Sequence, residues 1–304
     1  MLTFSRIELL ELPVAMRKSL FIVLAFALLC CGCSTASLVY HNADWYLQHK
    51  INGYTSFNAQ QKKLILQDVS DYMHWHRKNA LPAYITFLQN LNGAAQSGGQ
   101  LKVENVTLLR TQLMDLYRMT LVPAIRPAAE ILSMLDNGQI QELGRNLAEE
   151  IRKQKHEELD ISHDKYLDNR ADKTISFLEW LAGNLSGEQE RKIREMSRHL
   201  PVVIDIYIQH RAANQSSLIA LLNDHADKEK IAAFLSSWLL TPEASRLPWQ
   251  QRVIESFETA SDEMIAQIHG LLTVAQKKHI HKIISSYIDD MRAESRAAVQ
   301  GPGQ

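Results

Sequence analysis

The sequence predicts an all-α fold: a single elongated domain of about ten helices behind a leader segment. Apolar residues recur at helical spacing along most of the chain, for example at Ile280, Ile283, Ile284 and Tyr287. Strand-like alternation is rare, and proline stands at several points where one helix can end and another begin. We therefore expect a helix content well above the usual third of residues.

The leader is typical of a lipoprotein signal. Two basic residues precede an apolar run, Leu20–Leu29, which is too short to cross a bilayer but suits a secretory signal. The small residues of Gly32-Cys33-Ser34 suit a cleavage site, and the thiol of Cys33 can be lipidated. We predict that 1–32 is the signal peptide and that 33–43 is a lipidated tether. Cys31 is the weaker candidate because no small residue precedes it.

The residues before Met16 fit a signal peptide badly, because Glu8 and Glu11 place acidic groups where positive charge is expected. A start at Met16 would make 1–15 a mis-assigned beginning. The alternative is an unusually long leader. Neither interpretation gives these residues a part in the fold.

Composition excludes several classes of function. Residues 1–32 carry three basic and two acidic side chains, which leaves 30 basic and 32 acidic residues and a net charge of −2. Nothing in that balance favours nucleic acid as a partner. With Cys33 lipidated and Cys30 and Cys31 removed, no thiol remains for a disulfide or a cysteine-based zinc site.

The helical domain is predicted to span 44–299, with a disordered tail at 300–304. A short aromatic-rich helix comes first and ends near Gly53, and its Tyr40, Trp45 and Tyr46 are expected to dock on the core. Later helices are predicted at 58–79, 81–92, 102–121, 124–135, 137–159, 163–183, 186–199, 201–224, 227–240, 247–269 and 273–298. Corners are expected at Pro82, Pro123, Pro201 and Pro248, and a flexible loop at 92–99.

One helix start recurs four times: an apolar residue, a capping residue, two variable positions and a glutamine. The capping side chain accepts a hydrogen bond from the first turn, and the glutamine reaches back to the capping residue's N–H. An apolar residue follows four positions after each glutamine. The spacings of 78, 50 and 87 residues are too irregular for a strict solenoid. The four pairs are Asn58 with Gln61, Asp136 with Gln139, Ser186 with Gln189, and Thr273 with Gln276.

A fifth, degenerate copy at Leu240-Thr241-Pro242-Glu243-Ala244 has alanine in place of the glutamine. The repeat resembles the Leu-Thr-x-x-Gln motif of small helical periplasmic stress chaperones. Those proteins are cradle-shaped, carry two copies on a shorter chain and bind unfolded envelope proteins without nucleotide. The resemblance covers about five residues per copy, and any capping box would match it in part.

Over most of its length the chain resembles an uncharacterised family of proteobacterial lipoproteins, known only as a domain of unknown function. The shared features are Tyr40-His41-Asn42-Ala43-Asp44-Trp45 soon after the lipidated cysteine, Trp75-His76-Arg77 with Leu81-Pro82, and Phe177-Leu178-Glu179-Trp180-Leu181. The resemblance implies an envelope location and an all-helical fold. It implies no activity.

The sequence contains no catalytic motif. A nucleophile elbow, a phosphate-binding glycine loop and a His-Glu-x-x-His pattern are all missing. We therefore predict no catalytic residues, no metal and no cofactor. Candidate binding residues are the polar groups that adjoin aromatic side chains, which could form a shared pocket or simply anchor the first helix. They are Asp44, Trp45, Trp75, His76 and Arg77.

These observations favour a non-enzymatic binding or scaffold protein, anchored by lipid in the outer membrane and facing the periplasm. Its partners would be the membrane and an envelope protein, with no nucleic acid and no small-molecule substrate. Ser34 is consistent with outer-membrane delivery, because the aspartate that directs inner-membrane retention is absent from that position. The alternatives are a chaperone-like cradle for envelope proteins and an enzyme of unknown class.

Overall fold

The computed structural model describes Tyr40, residues 42–96 and residues 101–300. Helices and short connections make up this part of the chain, and no strand occurs in it, which confirms the all-α prediction. The helices are α1 (Ala43–Asn52), α2 (Ala59–Trp75), α3 (Leu81–Ala95), α4 (Val103–Ser133), α5 (Asn137–Glu158), α6 (His163–Ala182), α7 (Gly187–His199), α8 (Ile204–Asn223), α9 (Lys228–Leu240), α10 (Pro248–Leu271) and α11 (Val274–Gln300).

Two predicted corners are wrong. At Pro82 the chain continues from α2 into α3 through a π-helical turn, His76–Ala80, in which the N–H of Leu81 donates to the carbonyl of His76. The wider turn accommodates a proline that an α-helical interior would not tolerate. At Pro123 the chain also continues, because α4 is one helix that contains both Pro123 and Pro127. Packing of α4 against α2, α3, α9 and α10 outweighs the lost backbone hydrogen bonds.

Other boundaries follow the sequence more closely. Helix α1 ends at Asn52, before Gly53, and breaks occur before Pro201 and Pro248 as expected. The predicted loop at 92–99 begins too early, because α3 runs to Ala95. At the degenerate fifth copy the chain forms only a 3-10 turn, Pro242–Ser245. Cys33 and the tail beyond 300 lie outside the described residues.

The buried apolar residues form several clusters along the helices. The largest joins α1, α2, α4, α5, α8 and α9, and includes Ile65, Ile140 and Ile231. A second joins α3, α4, α6 and α11 through Leu88, Ile284 and Tyr287. A third joins α6, α7 and α10 around Ile193. Each helix that begins with a capping box therefore contributes to one of these three clusters.

Within the part of the chain that the structure covers, no helix is both long enough and apolar enough to cross a membrane.

Candidate functional site

All four predicted helix starts have the geometry of a capping box. At the first, Gln61 N donates to Asn58 Oδ1 at 3.0 Å and Asn58 N donates to Gln61 Oε1 at 2.8 Å. The equivalent bonds at Asp136, Ser186 and Thr273 lie between 2.9 and 3.3 Å. The apolar residues one turn later are buried, with exposed fractions of 1 to 6%: Ile65, Leu143, Ile193 and Ile280. These starts therefore orient their helices towards the core.

The four boxes meet in two pairs. Gln61 Nε2 donates to Gln139 Oε1 at 2.9 Å, and Gln139 Nε2 donates back to Gln61 Oε1 at 2.7 Å. Gln189 and Gln276 form the same reciprocal pair, at 2.9 and 3.1 Å. We call the Gln61–Gln139 pair the first joint and the Gln189–Gln276 pair the second joint. The first joins the starts of α2 and α5, and the second joins the starts of α7 and α11.

A further hydrogen bond shows that both joints have approximate two-fold symmetry. Each glutamine also donates from Nε2 to the backbone carbonyl of the residue five positions before its partner glutamine. In the first joint these carbonyls belong to Met134 and Ser56, both at 2.9 Å. In the second they belong to Leu271 and Asn184, at 2.8 and 2.9 Å. The same arrangement thus occurs twice in one chain.

The joints saturate the hydrogen-bonding capacity of four buried amides. Each Nε2 donates twice, and each Oε1 accepts from its own capping residue and from its partner. Gln61 is fully buried, and the other three glutamines are 6 to 9% exposed. A buried amide with every bond satisfied fixes geometry strongly, because any rearrangement leaves a polar group unpaired. The joints therefore hold helix starts together and leave no amide group free for a ligand.

The sequence predicts the boxes only as separate helix starts, and their pairing appears only in the structure. The spacings between copies alternate between long, short and long, at 78, 50 and 87 residues. This alternation fits two pairs of copies better than an irregular solenoid repeat.

The candidate binding residues lie partly together, around the π-helical turn. The hydroxyl of Tyr40 and Nδ1 of His76 are 2.7 Å apart, and Arg77 pairs with Asp44 at 3.0 Å. The Arg77 guanidinium also lies over the Tyr40 ring, 5.6 Å from its centroid. We call this group the His76 cluster, and it includes the rings of Tyr72 and Tyr84 at 6.0 and 5.7 Å from the imidazole.

Burial sets the protonation state of this cluster. It lowers the pKa of His76 to about 4, with a smaller contribution from the positive charge of Arg77. Burial likewise raises the pKa of Tyr40 and that of Tyr72. His76 is therefore neutral near pH 7, and the Tyr40 hydroxyl keeps its proton. These polar groups are paired with one another, as docking of the start of the fold onto the π-helical turn requires.

The two tryptophans lie differently from the other candidates. Trp75 is half-buried at the edge of the cluster, with its ring 5.9 Å from that of Tyr72. Trp45 is 65% exposed and stacks on His49 with ring centroids 5.4 Å apart, so the expectation that it docks on the core is wrong. Its indole faces away because the buried side of α1 is taken by Ala43, Leu47 and Ile51.

Two surface cavities lie away from both features. A groove of about 790 Å³ lies between the start of α4 and the end of α10, lined in part by Leu101, Glu104 and Glu263. An apolar groove of about 460 Å³ lies between α5 and α8, lined in part by Leu147 and Ile219. Neither is lined by a joint glutamine or by a member of the His76 cluster. Among the described side chains, no three potential metal ligands are grouped together.

Fold and geometry together define an all-α protein in which paired capping boxes join helix starts. Comparison of the sequence with family models identifies its relatives: the chain belongs to a family of unknown function, DUF6279, whose model matches residues 53–246. No curated protein and no solved structure matches it. The matched region contains the whole first joint, Gln189, His76 and Arg77, while α1 lies wholly before it.

Proposed function

We propose that this protein is a lipoprotein of the outer membrane that faces the periplasm and acts as a non-enzymatic scaffold or binding protein of the cell envelope. The observation that carries the scaffold role is the pair of joints. Four buried glutamines use all of their side-chain hydrogen bonds to hold helix starts together. A stiff helical body of this kind suits a protein that holds a partner at a set position.

The anchor is inferred from the sequence around Cys33. The apolar run and the small residues beside the cysteine are those of a lipoprotein signal. Only six residues lie between Cys33 and Tyr40, which docks on His76. A short tether joined directly to a docked segment would keep the body close to the membrane surface.

Acylation tests the anchor. Cells that express the protein are labelled with a palmitate analogue, and membrane fractions are separated. We expect label on the wild type in the outer-membrane fraction, and an unlabelled, unprocessed precursor for Cys33→Ser. Cys31→Ser is the matched control and should behave as the wild type. Label retained by Cys33→Ser but lost from Cys31→Ser would move the site to Cys31, and label on neither wild type nor variants would refute the anchor.

Crosslinking in intact cells tests the scaffold role. A photoreactive residue is placed at exposed positions such as Phe177 and Val274, which are 39 and 73% exposed. A scaffold should give discrete crosslinked partners, identified by mass spectrometry, whose identity depends on the position of the probe. Cys33→Ser should lose them through mislocalisation. Diffuse products that are independent of position would contradict a defined partner.

A chaperone-like cradle is the second candidate. The observation that favours it is the pairing of the boxes, since the chaperones that the motif resembles carry two copies per chain and this chain carries two such pairs. A cradle should suppress the aggregation of a reduced, unfolded client protein at equimolar ratio, measured by light scattering. Serum albumin is the control. Suppression no greater than that of albumin would eliminate the cradle and leave the scaffold.

A further inference from the structure

Helix α1 presents a face that the fold leaves uncovered. Trp45 is 65% exposed, the largest exposed fraction of any aromatic residue among the described large apolar side chains. Its ring stacks on His49, one turn later, with an interplanar angle of 11°. The stacking places the indole on the outside of the helix. A single exposed aromatic ring requires no partner by itself, so what this one contacts depends on where α1 lies.

The position of α1 is fixed by the His76 cluster. Asp44, the residue before Trp45, is bound to Arg77, and Tyr40 is bound to His76. These contacts tie the start of the fold to the π-helical turn. The opposite side of α1 packs on α2 and into the largest apolar cluster. Trp45 therefore belongs to a rigid part of the surface.

The anchor keeps this surface near the bilayer. From Cys33 to Tyr40 the chain spans seven residues, which reach at most about 25 Å when fully extended. Trp45 lies in the first turn of α1, five residues after Tyr40 in the sequence. Of the exposed large apolar residues described, it is the nearest in sequence to Cys33, and Leu66 comes next.

The chemistry of the face suits the polar region of a membrane. An indole places its ring among the glycerol groups and its N–H among the headgroups, which is why tryptophan is enriched at membrane interfaces. Helix α1 carries one acidic residue, Asp44, and its charge is paired with that of Arg77, so the helix offers no unpaired negative charge to repel anionic lipid.

We propose that the Trp45 and His49 face of α1 rests on the surface of the bilayer that holds the lipid anchor, so that Trp45 sets the orientation of the helical body. This inference rests on the proposed lipidation of Cys33. It commits to a lipid surface as the occupant of this face. A protein partner on the same face is the competing outcome of the test.

Fluorescence quenching tests the proposal. The protein is purified from membranes, the acyl group on Cys33 is verified by mass, and the protein is reconstituted into phosphatidylethanolamine and phosphatidylglycerol vesicles with brominated chains. Trp45 is one of five tryptophans, so about one fifth of the emission should be quenched relative to unbrominated vesicles. Trp45→Phe should abolish the quenching. Trp249→Phe is the matched control, since Trp249 is 47% exposed, and it should leave the quenching unchanged.

The outcomes separate this proposal from the lipid anchor. An acylated protein whose Trp45 is not quenched would overturn the membrane contact and leave the anchor intact, and the face would then be free for a protein partner. Quenching lost with Trp249→Phe but kept with Trp45→Phe would also overturn it. If Cys33 carries no acyl group, the anchor fails. The contact is then tested by coupling Cys33 of a 33–304 protein, in which it is the sole thiol, to a maleimide lipid in the same vesicles.

Discussion

The two joints share a hydrogen-bonded centre but differ in what surrounds it. In the first joint, Thr55 and Ser56 bind the carboxylate of Glu142, with distances of 2.7 to 3.0 Å. Counting from the paired glutamines, the equivalents of Thr55 and Glu142 in the second joint are Gly183 and His279. Gly183 has φ 81°, and a Cβ added to it would lie 3.9 Å from the His279 ring.

The difference follows from the length of the connection that enters each joint. Five residues lie between α1 and Asn58, and they have room to bind Glu142. Only three lie between α6 and Ser186, so the chain must turn sharply, and Gly183 supplies the left-handed conformation that this requires. The amide pair is thus the same in both joints. The residues that enter each joint differ with the length of the connection: Thr55 and Ser56 in the first joint, and Gly183 in the second.

The largest expected effect is the loss of one glutamine of the first joint. Gln61→Leu removes one of the two hydrogen bonds at Gln139 Nε2 and one of the two at Gln139 Oε1, and it removes the bonds of Gln61 to the N–H of Asn58 and to the carbonyl of Met134. We expect the free energy of unfolding to fall by about 3 kcal/mol or more. Gln189→Leu should cost less, about 2 kcal/mol, because Gln189 is 9% exposed whereas Gln61 is fully buried. Urea unfolding measures both.

A double-mutant cycle sharpens this comparison. Gln61→Leu combined with Gln139→Leu should cost clearly less than the sum of the single changes, because each removes the partner that the other leaves unpaired. Gln61→Leu combined with Gln189→Leu is the control and should be additive. Additivity within the first joint would mean that its two amides are not coupled.

The second prediction separates the joints from the His76 cluster. The amides at the centres of the joints do not titrate, whereas His76 has a pKa of about 4 in the folded protein against an ordinary 6.5. Between these values the unfolded chain binds a proton that the folded chain does not. Stability should therefore fall as the pH drops from about 6.5 to 4, by at most about 3 kcal/mol from this group.

His76→Asn keeps a polar atom near the position of Nδ1 and removes the titration, so the loss of stability over this pH range should shrink. His74→Asn, at an exposed position on the preceding turn, is the control and should keep the wild-type slope. Parallel pH profiles for the wild type and His76→Asn would place the acid sensitivity elsewhere. Chemical unfolding at several pH values gives these slopes.

The third prediction concerns Gly183, in the connection that enters the second joint. Gly183→Ala forces a Cβ onto a residue with φ 81° and ψ −175°, a conformation that only glycine adopts readily, and should cost about 2 kcal/mol. Gly187→Ala is the matched control, since its Cβ would meet nothing within 4 Å in the first turn of α7, and should be neutral or slightly stabilising. An equal loss of stability in both alanine variants would contradict a special backbone requirement at Gly183. Thermal unfolding distinguishes them.

The smallest effect is expected at Glu142, which lies beside the first joint and accepts hydrogen bonds from Thr55 and Ser56. Hydrogen bonds from Ser56 and Thr55 hold the pKa of Glu142 below its ordinary value, so Glu142 stabilises the fold above that value and loses this contribution as the pH falls through its lowered pKa. Glu142→Gln should lower the melting temperature slightly at pH 7, and the difference from wild type should close in acid. Glu157→Gln, at an exposed position on α5, should not change it. A difference that persists in acid would contradict the role of the charge.

Much of the fold could be predicted because its signals are local. The helix starts depend on side chains three residues apart, as at Asn58 and Gln61, and such contacts form wherever the pattern occurs. The corners predicted at Pro82 and Pro123 are wrong because the contacts that decide the structure there are not local. Proline weakens a helix locally, but packing of α4 on four neighbours and a π-helical turn at His76 compensate in ways that no local pattern reveals.

The candidate site was predictable only in part, for the same reason. Asp44, His76 and Arg77 adjoin aromatic residues in the sequence, and in the structure all three belong to the His76 cluster. Trp45 has the same local pattern yet is exposed, because which side of α1 is covered depends on helices far along the chain.

By itself the sequence determined the class of fold, where most helices begin and the two halves of each capping box, since all of these follow from interactions within a few residues. Only the tertiary structure decided that Gln61 meets Gln139 and that Gln189 meets Gln276. Each pair joins residues 78 or 87 positions apart. A glutamine at a helix start can make three further hydrogen bonds after capping, two from Nε2 and one at Oε1, and only the packing of distant helices decides what satisfies them.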